Sequence, residues 1–242
     1  MTWPFAGEIR HRDSLGSDVM LRPGELNLMT SGRGVSHSEI SPDTSDQQLH
    51  GLQLWVASPE ATRHSPARFE HHGDLPHLEL EGLSATLLVG DFLGGHSPAR
   101  VDTPLLGVDL TLKPGTCSVQ LDATFEHALM VVNGDVLCDD IPLTAGPLLY
   151  LGTGRNALKL SSQFGAHLVL LGGEPFEEEL VMWWNFVGRS HDEIVDARKT
   201  WQQAAERFGH VVGHGDERIP APPLPNLRLK PRRRTAGGPD GH

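Results

Sequence analysis

The side chains best placed to do chemistry stand in one short run, Leu28-Met29-Thr30-Ser31-Gly32-Arg33-Gly34-Val35-Ser36-His37-Ser38-Glu39. On a β-strand, residues two apart share a face. His37 and Glu39 therefore aim at one place, and Ser38 aims away. A converging imidazole and carboxylate make half of a ligand set for a divalent metal such as iron. A loop histidine beside a solvated glutamate has the same spacing, so spacing alone leaves both readings open. Gly32 and Gly34 flank Arg33, which suits a backbone that needs positive φ or a close approach.

Other reactive residue types are more scattered. His50, His64, His71, His72 and His77 fall in or near the Pro- and His-rich stretch 58–80. No pair among them has metal-ligand spacing on a defined strand or helix, so capping and surface hydrogen bonding are the expected roles. Cys117 and Cys138 are the only cysteines in 242 residues, too few for a disulfide framework. A reducing, cytoplasmic setting is the default for such a chain. The net charge of −11 argues against nucleic-acid binding by a generally basic surface. No apolar run reaches the length of a membrane span, and no basic region followed by an apolar core marks a signal peptide.

The elements that must position these residues read as β-strands. With 27 glycines, 18 prolines and 38% hydrophobic residues, the chain suits a loop-rich β protein with room for two small cores. Strands are expected at Gly7 to His11, Val19 to Leu21, Leu26 to Met29 and Leu49 to Val56, separated by turns at Asp13-Ser14-Leu15-Gly16 and Pro23-Gly24. Ser41 to Asp46 reads as a polar loop and residues 58–80 as an irregular crossing. A second β unit follows from Ala85 to Val89 through Leu105 to Leu112, Cys117 to Leu121, Ala128 to Val132, Leu148 to Leu151, Ala157 to Leu160 and His167 to Leu171. It echoes the first. Ala6-Gly7-Glu8-Ile9 matches Asn133-Gly134-Asp135-Val136, and Leu28 to Glu39 overlays Tyr150 to Ser161. That overlay sets His37 on Lys159 and Glu39 on Ser161, so the second unit is expected to hold no metal.

After Pro175 the pattern turns helical. Ser190 to Glu193 is a capping box, and Ile194, Val195, Ala197, Trp201 and Ala205 form a stripe that Gly209 ends, giving a helix near 191–207. The tail from Asp216 carries many prolines, then Arg228, Lys230, Arg232, Arg233 and Arg234. It reads as solvated, with the part before Lys230 able to lie along the body as an extended strap.

The runs MTSGRGVSHSE and GLQLWVASPE, with GEIRHRDSLG, RFEHH and FEHALMVVNGDV, resemble the pirin family from Thr2 to about Phe208. The GRG-x-x-HSE run is the specific part. The resemblance implies an all-β fold of two cupin barrels in one chain (double-stranded β-helix or jelly-roll), the first N-terminally incomplete, plus a C-terminal helix. The expected divisions are 1–80, 81–175 and 176–242. Pirins hold iron with three histidines and one glutamate in the first lobe. His37 and Glu39 match two of these ligands, and the family's His-x-His pair falls in register just upstream of Met1. We therefore expect Met1 not to be the natural start of the folded unit. The resemblance implies either a quercetin 2,3-dioxygenase type of enzyme acting on a flavonoid-like small molecule, or a metal-responsive binding protein with a protein partner, or an inactive metal-free relative.

Overall fold

The computed structural model describes residues 1–42, 48–215 and 217–231. The expected loop residues Asp43 to Asp46 and the cluster Arg232 to Arg234 lie outside the described residues. The chain divides into two compact units, residues 1–71 with 177–242, and residues 72–176.

The strands of the first unit are β1 (Thr2–Ala6), β2 (Ile9–Asp13), β3 (Asp18–Leu21), β4 (Leu26–Thr30), β5 (His37–Ile40), β6 (His50–Gln53) and β7 (Arg68–His72). They form two sheets, ordered β6-β1-β4-β7 and β3-β2-β5. The second unit contains β8 (His77–Leu80), β9 (Leu83–Val89), β10 (Asp91–Phe92), β11 (Gly95–His96), β12 (Leu105–Leu112), β13 (Gly115–Gln120), β14 (Glu126–Cys138), β15 (Ile141–Thr144), β16 (Leu148–Gly152), β17 (Ala157–Ser162) and β18 (Ala166–Gly173). Its main path runs β13-β17-β14-β18-β12-β9-β8, with β15 and β16 also paired to β14. Period-two alternation buries one face of these strands. Leu87, Leu110, Leu129, Leu158, Leu160 and Leu170 meet in one apolar core. The stretch 58–80 is more regular than expected. Both β7 and β8 lie in it, and β8 pairs with β9 from His77↔Thr86 to Leu80↔Leu83. Only two turn residues separate Leu80 from Leu83, and such a hairpin forms locally whatever the composition around it.

The duplication is explicit in the pairing. β1 meets β4 and β6, β2 meets β3 and β5, and the single long strand β14 makes the four equivalent pairs with β16, β18, β15 and β17. A register shift falls between Pro4 and Ala6 in the first unit and between Val131 and Asn133 in the second. Gly7 and Gly134 follow these bulges with φ of 77° and 90°. This common bulge aligns Phe5 with Val132 and corrects the expected overlay by one residue in the last strand. In that alignment Arg10↔Ile40 corresponds to Leu137↔Ser161, which sets Glu39 on Leu160 and His37 on Leu158. The cause lies between the two last strands: Glu39 stands 12 residues after Asn27, while their counterparts Leu160 and Leu149 stand 11 apart.

Residues 177–231 complete the first unit. A hairpin of β19 (Val181–Trp183) and β20 (Phe186–Gly188) precedes helix α1 (His191–Gln202). The Ser190 hydroxyl accepts the Glu193 N–H, as the capping box requires. Glu193, however, reaches back to the Arg189 N–H rather than to its cap residue. The helix ends five residues earlier than expected. Ala204 takes a left-handed φ of 51°, and Glu206–Phe208 forms a separate 3-10 turn. The strap is present: Ala221 is buried, Arg198 and Trp201 donate to the carbonyls of Pro222 and Ile219, and Arg228 pairs with Asp192.

Candidate metal and ligand site

The GRG loop is built around two bare backbones. At Gly32, φ is +51° and a Cβ would stand 2.0 Å from the Ser65 carbonyl oxygen. At Gly34, φ is +143° and a Cβ would press on the Phe208 ring at 3.0 Å. The Arg33 carbonyl between them accepts Arg207 Nε at 2.7 Å, and Ser36 N donates to the Phe208 carbonyl. The loop is thus clamped from both sides immediately before β5, which fixes where His37 and Glu39 enter the lobe.

In β5, His37 pairs with Asp13 of β2, and Glu39 with His11. Directly opposed residues share a face, so all four side chains are brought together. His11 and Asp13 are almost fully buried. Asp13 Oδ1 accepts the N–H groups of Leu15 and Ser17, and Oδ2 lies 3.1 Å from His11 Nε2. Burial would raise the Asp13 carboxyl, but these donors outweigh it and hold it below its ordinary range. An ionised carboxylate only accepts, so His11 carries its proton on Nε2. His11 Nδ1 then faces Glu39 Oε1 at 3.6 Å, beyond hydrogen-bond length, and has no partner among the described residues. The ring is stacked between Phe69, at 4.4 Å, and His37, at 5.8 Å.

Glu39 is held from the other sheet. Thr2 Oγ1 donates to Oε1 at 2.7 Å and Gln53 Nε2 to Oε2 at 2.7 Å. Burial would raise its carboxyl, yet the Thr2 hydroxyl, with the imidazoles of His11 and His37 nearby, keeps it lowered and ionised. His37 has an open edge to solvent, while the lobe wall crowds its other side. That desolvation lowers its basicity despite the Glu39 charge, so the ring offers a lone pair near neutral pH.

These donors fit a divalent ion in type, and they supply it with two ligands. Glu39 retains a lone pair on each oxygen, and His37 retains a nitrogen. His11 does not join them. Its ring lies within 16° of parallel to that of His37, with centroids 5.8 Å apart. Among the described residues no group of three or more His, Cys, Asp or Glu side chains is arranged to hold a metal. Sequence reasoning missed His11 and Asp13. They have the same two-residue spacing on a strand as His37 and Glu39, and that spacing was the available signal. The histidines of 58–80 are dispersed: His71 Nδ1 meets Asn27 Oδ1, and His77 meets Thr86 and Glu79.

Comparison with known proteins agrees with this architecture. Residues 1–56 match the family described as Pirin, and residues 107–209 the Pirin C-terminal cupin domain. A Pseudomonas aeruginosa protein named "Putative quercetin 2,3-dioxygenase" is 42% identical over 93% of this chain and 71% of its own length. This chain belongs to the pirin family. A pirin-like protein of Caulobacter vibrioides is 33% identical over 92% of this chain and 77% of its own. The crystal structure of a quercetin 2,3-dioxygenase from Acinetobacter baumannii superposes with a TM-score of 0.89 at 41% identity, covering 94% of this pirin and 77% of that chain. The fold is therefore the all-β bicupin of the family.

At the level of the lobes, this pirin is asymmetric. Pairing registers set Thr2 on Leu129, Gln53 on Leu170, His11 on Cys138, His37 on Leu158 and Glu39 on Leu160. The five second-lobe side chains are all fully buried. The fold fills one lobe with leucine and cysteine where it lines the other with hydrogen-bonding groups.

Proposed function

We propose that this pirin is an oxidoreductase of the quercetin 2,3-dioxygenase type, acting on a flavonoid-like phenol in the first lobe with an iron ion held by His37 and Glu39. The observation that carries the reading is the convergence of a neutral imidazole and an ionised carboxylate beside the open edge of the lobe. The names of two relatives described above support it. When bound, iron supplies the one-electron chemistry that lets dioxygen attack a phenolate ring. The chain's own groups do the rest. Glu39, kept ionised and fixed by Thr2 and Gln53, accepts the proton or hydrogen bond of a phenolic hydroxyl at Oε1 or Oε2. Neutral His37 offers its ring nitrogen beside it, and the buried Asp13–His11 pair lies against the His37 ring.

The small number of donors favours a second reading, in which the lobe binds the phenol, or a protein partner, without turnover. Oxygen uptake by the iron-loaded protein in the presence of quercetin separates the two. Under the first reading uptake occurs and falls at least about 100-fold in Glu39→Gln and His37→Ala, beyond the usual loss for groups that merely orient ligands. Quercetin binding without uptake would move the protein to the second reading. We place it in the cytoplasm, because both cysteines are free thiols. Among the described residues no helix is long and apolar enough to cross a membrane.

A further inference from the structure

We infer that Thr2 and Gln53 are the positioning residues that aim Glu39, and that Gln53 is also the group that reads the ligand. This rests on the proposed site and adds the chemistry by which it recognises its occupant, a planar molecule with a hydroxyl beside a carbonyl.

The argument begins with the molecule's own control. Burying polar groups is costly unless they are paired, and leucine at the same positions costs nothing of the kind. The second lobe shows that the fold accepts Leu129 and Leu170 where the first carries Thr2 and Gln53. The polar pair is therefore not required by the pleat or the packing. Its two donors go to the two different oxygens of one carboxylate, both at 2.7 Å, from adjacent strands β1 and β6. A carboxylate held at both oxygens cannot rotate about its last bond, so its remaining lone pairs keep a fixed direction.

The two residues differ in exposure. Thr2 is 8% exposed and has only Glu39 to serve. Gln53 lies on the open side. One Nε2 hydrogen holds Glu39, and among the described residues its other hydrogen and its Oε1 have no partner. A carboxamide edge of adjacent donor and acceptor matches the edge of a flavonol, whose carbonyl accepts and whose neighbouring hydroxyl donates. Leucine at this position keeps the shape and loses both interactions.

The test uses the full chain without added metal, titrated with quercetin and with flavone, which lacks the hydroxyl. Tryptophan quenching is the readout, and thermal melts check folding. Wild type is expected to bind quercetin more tightly than flavone. Gln53→Leu should weaken quercetin about tenfold, the worth of one to two hydrogen bonds, and weaken flavone less, since flavone offers Gln53 its carbonyl alone. Thr2→Val should weaken quercetin as well, and Thr2→Ser should restore it, which loss of packing alone would not do. Unaltered quercetin binding in Gln53→Leu overturns the recognition role while leaving the proposed function standing. A second arm titrates Ni²⁺ in place of the flavonoids. Weaker Ni²⁺ binding in both Thr2→Val and Gln53→Leu supports the positioning role even if wild type fails to prefer quercetin, an outcome that would sink the flavonoid reading alone. Unchanged Ni²⁺ binding in both variants, or none in wild type together with no preference for quercetin, overturns the inference.

Discussion

Replacing Asp13 by alanine should loosen the floor of the first lobe by about 3 kcal/mol. The side chain is buried and accepts from three donors. Its loss leaves His11, 1% exposed, with neither ring nitrogen paired, at a cost of about 1–3 kcal/mol for a buried polar group. The Leu15 and Ser17 N–H groups sit at a solvent-reachable turn and lose only about 0.5–1 kcal/mol each. The effect is pH-dependent. The folded Asp13 carboxyl titrates below its ordinary value of 3.8, so its contribution is complete above that value and vanishes as pH falls through the folded one. Urea unfolding followed by tryptophan fluorescence is the assay, because all five tryptophans lie in the unit of 1–71 and 177–242. At about pH 6 the midpoint should drop by about 1–2 M, given the usual urea slopes. Near pH 3 the gap between wild type and variant should narrow. A loss below about 1 kcal/mol, or one that is equal at both pH values, would refute the account of how His11 is held.

Gly32→Ala should destabilise the same unit by about 3 kcal/mol or more, since its Cβ meets the Ser65 carbonyl at 2.0 Å on a left-handed backbone; a melt unchanged from wild type would contradict the clamp. Ser190→Ala should cost about 1 kcal/mol in the same unfolding assay, through loss of the cap on Glu193 N. Cys117 and Cys138 both stand opposite Leu160, one on each side, which puts two strand spacings, about 9–10 Å, between their Cα atoms. No disulfide spans that distance. Burial pushes the Cys138 thiol up to about 11, so a thiol reagent near neutral pH should leave Cys138 untouched in the native protein, react slowly with the less buried Cys117, and label both rapidly in urea.

The strands and the duplication were legible because alternation and turn glycines carry them directly. His37 and Glu39 were legible because a period of two needs no tertiary knowledge. The register of the repeat was not, since a one-residue difference in spacing leaves no mark in composition. Only the shared bulge beside Gly7 and Gly134 reveals that Leu158 and Leu160, not Lys159 and Ser161, stand where the first lobe has its imidazole and carboxylate. Thr2 and Gln53 were hidden for a different reason. Each is an unremarkable strand residue, and their meeting on Glu39 joins segments 37 and 14 residues distant along the chain. Asp13 looked like a turn former, which it also is.

The discontinuity of the first unit bears on how the chain is made. Residues 72–176 form an uninterrupted sequence that can close its own sheet as soon as it leaves the ribosome. The opening 71 residues cannot finish by themselves. Ser36 awaits the Phe208 carbonyl, Arg63 awaits Glu193, and Arg12 awaits the Gly213 carbonyl, the last 201 residues later. At bacterial or eukaryotic elongation rates this interval lasts on the order of ten seconds. Throughout it the GRG loop has no Phe208 ring against Gly34, and the strand carrying His37 and Glu39 relies on β2 and on the Thr2 and Gln53 side chains. The half of the protein translated first is thus the half completed last. A nascent chain stalled before the helix would offer its lobe to chaperones or proteases while the later lobe is already shut.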